Sequence, residues 1–228
     1  MGIKENLRSI RERINQVAKK AGRNPKDIIL VAATKNVDSF RIREAMDNGI
    51  RIVGENRVQE AKGKFQELGE VLEWHFIGHL QTNKVREALN IFSMIQSVDS
   101  LRVAKVISQE AMNKGKIQEI LLEVNVGEEV NKFGFREEEL IAILPAMASL
   151  PNLRILGLMT VPPYLSSPEN GRPYFRKLRK FSRRLEELGI SEVKMQYLSM
   201  GMSHDFEVAI EEGANMVRIG TAIFGPRS

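Results

Sequence analysis

Lys35 is the first residue whose position implies chemistry. It follows the apolar run Ile28-Ile29-Leu30-Val31-Ala32-Ala33 and then Thr34, so the chain delivers it where a buried strand ends. A lysine there is either an ordinary strand-end ammonium in water or an amine that forms an imine. Imine formation needs the neutral amine; a free lysine titrates near about 10.4, and partial burial or cationic neighbours lower that value. A second informative pair lies late in the chain, in Ser199-Met200-Gly201-Met202-Ser203-His204-Asp205 and in Val217-Arg218-Ile219-Gly220-Thr221-Ala222-Ile223-Phe224-Gly225. Gly201 and Gly220 let backbone N–H groups approach an anion closely, and Ser199 and Thr221 add hydroxyls. Arg218 lies within an apolar segment, where a buried guanidinium needs an anionic partner. The pattern fits a phosphate cradle, or else two glycine turns with an internal Arg–Glu pair.

Three other places carry polar residues of interest. Asn56 follows Gly54-Glu55 and can cap the next helix or hydrogen-bond an aromatic ligand. In Trp74-His75-Phe76-Ile77-Gly78-His79, His79 can give a neutral hydrogen bond to such a ligand, while His75 reads as a satisfied core histidine. Lys132 sits in the loop Gly127-Glu128-Glu129-Val130-Asn131-Lys132-Phe133-Gly134, as a solvated lysine or as a second amine at the same mouth.

These residues are held by an alternation of strands and helices. Leu7, Ile10, Ile14 and Val17 make a helical stripe over residues 4–20. Strands are expected at 28–33, 51–54, 74–78, 94–97, 119–126, 154–160, 193–198 and 216–220. Helices are expected between them at 39–48, 57–68, 82–90, 100–114, 137–149, 172–188 and 206–212. Continuous apolar strands alternating with helices indicate a parallel sheet, and eight such units indicate a closed α/β barrel of the (β/α)8 TIM type. A doubly wound open sheet is the alternative. The eighth helix is missing after the last strand, and the N-terminal helix is the spare element that covers the gap. In a closed barrel the first strand adjoins the eighth, which puts Lys35 within a small cofactor's reach of Arg218. A lysine beside a phosphate cradle fits an aldehyde-bearing phosphate ester, of which pyridoxal 5′-phosphate (PLP) is the commonest cofactor.

Composition narrows the setting. The chain has 228 residues, 43% hydrophobic and 28% charged, which suits one domain over residues 1–228. Lys plus Arg is 34 and Asp plus Glu is 29, a formal charge of +5. The basic cluster from Arg172 to Arg184 reads as a solvated helix face, so nucleic acid is not expected as a partner. With 0 cysteines, disulfides and thiolate metal sites are excluded. No apolar run reaches the ~18 residues of a membrane span, and the N-terminus is too polar for a signal peptide. The expectation is a soluble cytoplasmic monomer without membrane contact.

The sequence resembles the PLP homeostasis protein family, also called the proline synthetase co-transcribed or PLP-binding protein family. The motifs that carry it are Ala32-Ala33-Thr34-Lys35, Gly54-Glu55-Asn56-Arg57-Val58-Gln59-Glu60 and Trp74-His75-Phe76-Ile77-Gly78-His79-Leu80-Gln81-Thr82-Asn83-Lys84. They continue with Gly157-Leu158-Met159, Leu198-Ser199-Met200-Gly201-Met202-Ser203 and Met216-Val217-Arg218-Ile219-Gly220-Thr221-Ala222-Ile223-Phe224-Gly225, so that essentially the whole chain is covered. The resemblance implies a fold-type III PLP barrel like the N-terminal domain of alanine racemase, with PLP as a Schiff base on Lys35. It implies phosphate contacts from Ser199, Gly201, Arg218, Gly220 and Thr221, with Asn56 and His79 beside the ring. Lys132 corresponds to a second family lysine suggested to help cofactor transfer. The chain departs from the family pattern at Ala33, where serine is common, at Arg57, where tyrosine is common, and at His204, where an acid is common.

Members of that family are regarded as carriers or regulators of PLP and of amino-acid balance, with apo PLP-dependent enzymes as candidate recipients. The alternative is a PLP-dependent racemase or decarboxylase. Racemisation needs an acid/base group on each face of the substrate. In the racemases this barrel resembles, one of the two comes from an added domain, whereas this chain ends at Ser228, shortly after the last expected strand. Its 3 tyrosines, Tyr164, Tyr174 and Tyr197, fall in no strand-end motif. The carrier is therefore the expected function.

Overall fold

The computed structural model describes residues 2–163 and 165–226; Tyr164 and Ser228, weighed above, lie outside the described residues. Eight strands form a closed barrel in chain order. They are β1 (Ile29–Ala33), β2 (Ile52–Glu55), β3 (Glu73–Phe76), β4 (Met94–Val98), β5 (Gln118–Glu123), β6 (Leu153–Met159), β7 (Val193–Ser199) and β8 (Met216–Ile219). All neighbours are parallel, and the barrel closes through β1 and β8, with Val31 opposite Arg218 and Ala32 opposite Ile219. The doubly wound alternative is thereby set aside.

Side chains alternate across each strand. Val31, Met94, Leu121, Leu156, Met159 and Met216 form a small cluster inside the barrel. The residues between them, such as Ala32, Val53, Ile120, Val217 and Ile219, join a larger core beneath the helices. Arg218 is two residues after Met216 and so shares its inward direction.

The helices are α1 (Ile3–Lys20), α2 (Ser39–Asp47), α3 (Val58–Leu68), α4 (Val85–Ala88), α5 (Leu101–Asn113), α6 (Glu137–Ala148), α7 (Arg172–Glu187), α8 (Phe206–Glu211) and α9 (Thr221–Phe224). Local chemistry starts several of them: Asp38 accepts from the Arg41 N–H ahead of α2, and Ser100 accepts from the Val103 N–H ahead of α5. The stripe Leu7, Ile10 and Ile14 is buried, and α1 packs against α8 and α9. Asn6 donates to the Ile223 carbonyl at 2.9 Å, and Arg13 meets Glu207 through two hydrogen bonds of 3.1 and 2.6 Å. The N-terminal helix thus covers the place where α9 supplies only a single turn.

Two elements depart from expectation by more than a residue or two. The helix expected at 82–90 is a 3₁₀ turn, Thr82–Lys84, followed by the short α4; the chain leaves it to bury Leu89 and Phe92. The strand expected at 119–126 stops at Glu123. There the chain folds back, with Phe135 N–H donating to the Glu123 carbonyl at 2.8 Å and Asn125 N–H to the Phe135 carbonyl at 3.0 Å.

Candidate functional site

At the carboxyl ends of the strands lies a cavity of about 580 Å³. Lys35 and Ala33 from β1, Arg218, Gly220 and Thr221 from β8 and the turn after it, Ile77, and Lys132 from the loop after β5 all line it. The closure of β1 onto β8 brings Lys35 to Arg218. Lys132 crosses from the far side, ion-paired with Glu129 at 2.6 Å and donating to the Pro162 carbonyl at 3.3 Å.

On the wall shared with Lys35, two backbone amides converge on one side-chain oxygen. The N–H groups of Gly220 and Ala222 both point at Ser203 Oγ, each at 3.2 Å. Two amides converging on one oxygen is the arrangement that receives a phosphate oxygen. Gly201 supports it from behind at φ 92°, where a Cβ would stand 2.6 Å from the Ala209 Cβ and 3.0 Å from the Phe206 Cα. Only glycine meets both conditions. The nearby Met202 N–H is taken by Asp205 Oδ1 at 2.7 Å.

Arg218 forms the floor. Its Nη1 donates to the Ser199 carbonyl at 2.8 Å and to Ser199 Oγ at 2.6 Å, and its Nη2 donates to the Thr160 carbonyl at 2.7 Å. Among the described residues no glutamate carboxylate hydrogen-bonds it; two carbonyls and the Ser199 hydroxyl hold it. Ser199 Oγ in turn donates to Gln96 Oε1 at 2.6 Å, and Gln96 Nε2 donates to His75 Nδ1 at 2.7 Å. That leaves His75 Nε2 to donate to Glu73 Oε1 at 2.8 Å, which holds the Glu73 carboxyl below the usual carboxylate range. A continuous polar chain therefore runs through the barrel from Glu73 at its base to Arg218 at its mouth. Burial lowers Arg218 to about 10, against the opposing pull of Glu123 and Asp205. Glu123, the last residue of β5, is pushed up to about 7 by burial and then by Asp99, with Arg218 opposing.

The structure separates the remaining expected residues from this cavity. Ser199 is fully buried and spent between Arg218 and Gln96. Asn56 and His79 line another hollow, of about 270 Å³, with Phe76, Gln81 and Lys84. His79 pairs through Nδ1 with Asp99 Oδ2 at 2.7 Å and stacks on Phe133, with ring centroids 3.7 Å apart, so it anchors the loop that carries Lys132. His75 is the satisfied core histidine that its flanking residues indicate. Sequence reasoning missed Gln96, Thr160, Ser203 and Glu123. A signal existed for Gln96 and Glu123, since each is a polar residue two positions after an inward apolar one, Met94 and Leu121.

The alanine racemase N-terminal domain family matches residues 6–228. A "Pyridoxal phosphate homeostasis protein" of Aquifex aeolicus is 46% identical over 228 residues, covering 100% of this chain and 99% of the relative. The chain belongs to the pyridoxal phosphate homeostasis protein family. Its Escherichia coli member is 40% identical over 234 residues, covering 99% of this chain and 97% of the relative. Among solved structures, PipY of Synechococcus elongatus, described with PLP bound, matches with a TM-score of 0.86 at 35% identity, covering 98% of this chain and 100% of PipY. An alanine racemase of Clostridium difficile shares the fold, with a TM-score of 0.73 at 17% identity over 96% of this chain but only 55% of the racemase. In this chain Lys35, Ser203 and Gly220 line one cavity.

Proposed function

We propose that the chain binds PLP in the cavity between Lys35 and the Gly220 and Ala222 amides and acts in PLP homeostasis as a carrier. The observation that carries this reading is that one cavity is lined by a strand-end lysine, Lys35, and by Ser203 and Gly220, where two backbone amides converge on the Ser203 hydroxyl. When bound, the cofactor supplies an aldehyde that reacts with an amine to form a Schiff base, and a phosphate dianion.

The chain's own residues then divide the work. Lys35 offers the amine. Gly220 and Ala222 offer N–H groups, Gly201 keeps the backbone close enough for them to converge, and the Thr221 hydroxyl stands at the same rim. Arg218 adds positive potential from the floor while its hydrogen bonds hold β6, β7 and β8 together. Asn56 and His79 act at one remove, shaping the loops beside the ring's side of the mouth. Lys132, held at the rim by Glu129 and the Pro162 carbonyl, serves as the relay through which cofactor leaves toward an apo-enzyme.

The carrier reading draws on the relatives' names at 46% and 40% identity; the alanine racemase likeness is one of fold. Its proposed setting is the cytoplasm, as a monomer. No helix among the described residues is long and apolar enough to cross a membrane. The test is to mix PLP-loaded protein with an apo PLP-enzyme and a scavenger of free PLP. Activation that persists despite the scavenger and slows in Lys132→Ala supports the carrier. Complete blockage by the scavenger, or formation of D-isomers from L-amino acids by the loaded protein alone, contradicts it.

A further inference from the structure

The turn that carries Lys35 is clamped from outside the cavity. Its next residue, Asn36, has a φ of 60°, a left-handed backbone that asparagine tolerates but that other conformations compete with. One cluster holds the peptide units on both sides of Lys35. Before it, Lys64 Nζ donates to the Thr34 carbonyl at 2.7 Å, and the Thr34 hydroxyl donates to Glu55 Oε1 at 2.6 Å. After it, the Asn36 N–H donates to Glu60 Oε1 at 2.5 Å. Lys64 ties the two halves together, because its ammonium also donates to Glu55 Oε1 at 2.7 Å and to Glu60 Oε1 at 2.6 Å. An ammonium has three N–H bonds, and all of them are used.

The cluster is costly as a stability device. Lys64 is 8% and Glu55 0% exposed, and Glu55 Oε2 is buried without a hydrogen-bond partner among the described residues. Buried ion pairs seldom repay their desolvation against apolar packing. What this one secures is geometry, since its acceptors include the residues immediately before and after Lys35 in the chain or the group that holds them.

We propose that Lys64, with Glu60, is the positioning device for Lys35: by fixing the Thr34 and Asn36 peptide units it sets the direction in which the Lys35 side chain leaves β1 and so keeps its amine in the cavity. The proposal rests on the reading of Lys35 as the amine that captures an aldehyde. In that capture the Lys35 nitrogen bonds to the carbonyl carbon, and the carbonyl oxygen leaves as water with the two amine protons. Lys64 touches neither partner; it acts through the backbone.

The test reads Lys35 without the cofactor. Wild type, Glu60→Ala, Glu60→Gln and Lys64→Met are trace-labelled with formaldehyde and borohydride, at a temperature where circular dichroism shows each one folded. Peptide mass spectrometry then gives the labelling of Lys35 relative to the exposed Lys4. A Lys35 side chain turned out of the cavity and against the barrel wall is less accessible to the reagent, so Glu60→Ala should lower the ratio several-fold. Glu60→Gln keeps an oxygen for the Asn36 N–H and should recover most of the loss. A purely structural cluster would lower the thermal midpoints of these variants and leave the ratio alone; a wild-type ratio in Glu60→Ala overturns the proposal, whether or not Lys64→Met folds. PLP capture by wild type is mapped in parallel. If PLP attaches elsewhere than Lys35, the functional reading fails, and the formaldehyde ratio still decides the positioning.

Discussion

Replacing Arg218 by methionine keeps an unbranched stem in the barrel floor and removes every donor. The Thr160 carbonyl loses the donor that Arg218 Nη2 supplies at 2.7 Å. The Ser199 carbonyl keeps the Thr160 N–H at 3.1 Å, and Ser199 Oγ keeps Gln96. One newly unpaired buried acceptor costs about 1–3 kcal/mol, and two further lost hydrogen bonds cost about 0.5–1.5 kcal/mol each. Release of a desolvated charge returns part of this, because burial already lowers Arg218 to about 10. The net loss is therefore roughly 2–4 kcal/mol, a large share of the ~5–15 kcal/mol that a domain has in hand. Urea unfolding of the cofactor-free protein should show the midpoint falling with little change in slope. Below the transition, affinity should fall for both PLP and phosphate-free pyridoxal, and further for PLP, which also loses the positive potential that Arg218 supplies from the floor. Unchanged stability with a loss confined to the phosphate-bearing ligand would refute this and make Arg218 the reader of the anion.

Two further outcomes follow from the same geometry. Ser203→Ala removes the oxygen on which the Gly220 and Ala222 amides converge; inorganic phosphate, titrated by calorimetry, should bind at least as well as to wild type, and a loss of about tenfold or more would show that the hydroxyl itself binds the anion. Glu123 titrates near about 7 in the fold against about 4.3 in an unfolded chain. The folded state therefore holds the proton more tightly, and wild-type stability should fall as pH rises between those values. Glu123→Gln should flatten that fall and exceed wild type at pH 8 by on the order of 1–3 kcal/mol, with little difference near pH 4; parallel stability curves for the two proteins would show that Glu123 is not the group responsible.

The barrel was legible because its signals are local. Runs such as residues 28–33 and 120–122 are apolar on both faces, as strands covered on both sides require. Eight of them alternating with amphipathic stretches leave few ways to close. Lys35 and Arg218 could be placed together because β1 must pair with β8 in such a closure. The polar floor was not legible, because Glu73, His75, Gln96, Ser199 and Arg218 come from four strands and meet only when the register is fixed. Lys64 gave no warning either, since a lysine four residues after Glu60 on a helix normally marks an exposed ion pair. Asn56 and His79 follow their strands as the site pattern demands, yet the loop after β5 folds back and stacks Phe133 on His79, giving them a hollow of their own.

Borohydride reduction of the PLP-loaded protein, followed by peptide mapping, decides whether Lys35 is the amine that holds PLP. Wild type should yield a reduced pyridoxyl group on Lys35, and Lys35→Ala should lose the yellow colour with its fold intact by circular dichroism. Reduced cofactor found entirely on another lysine, with Lys132 the first to examine, would contradict the assignment to Lys35.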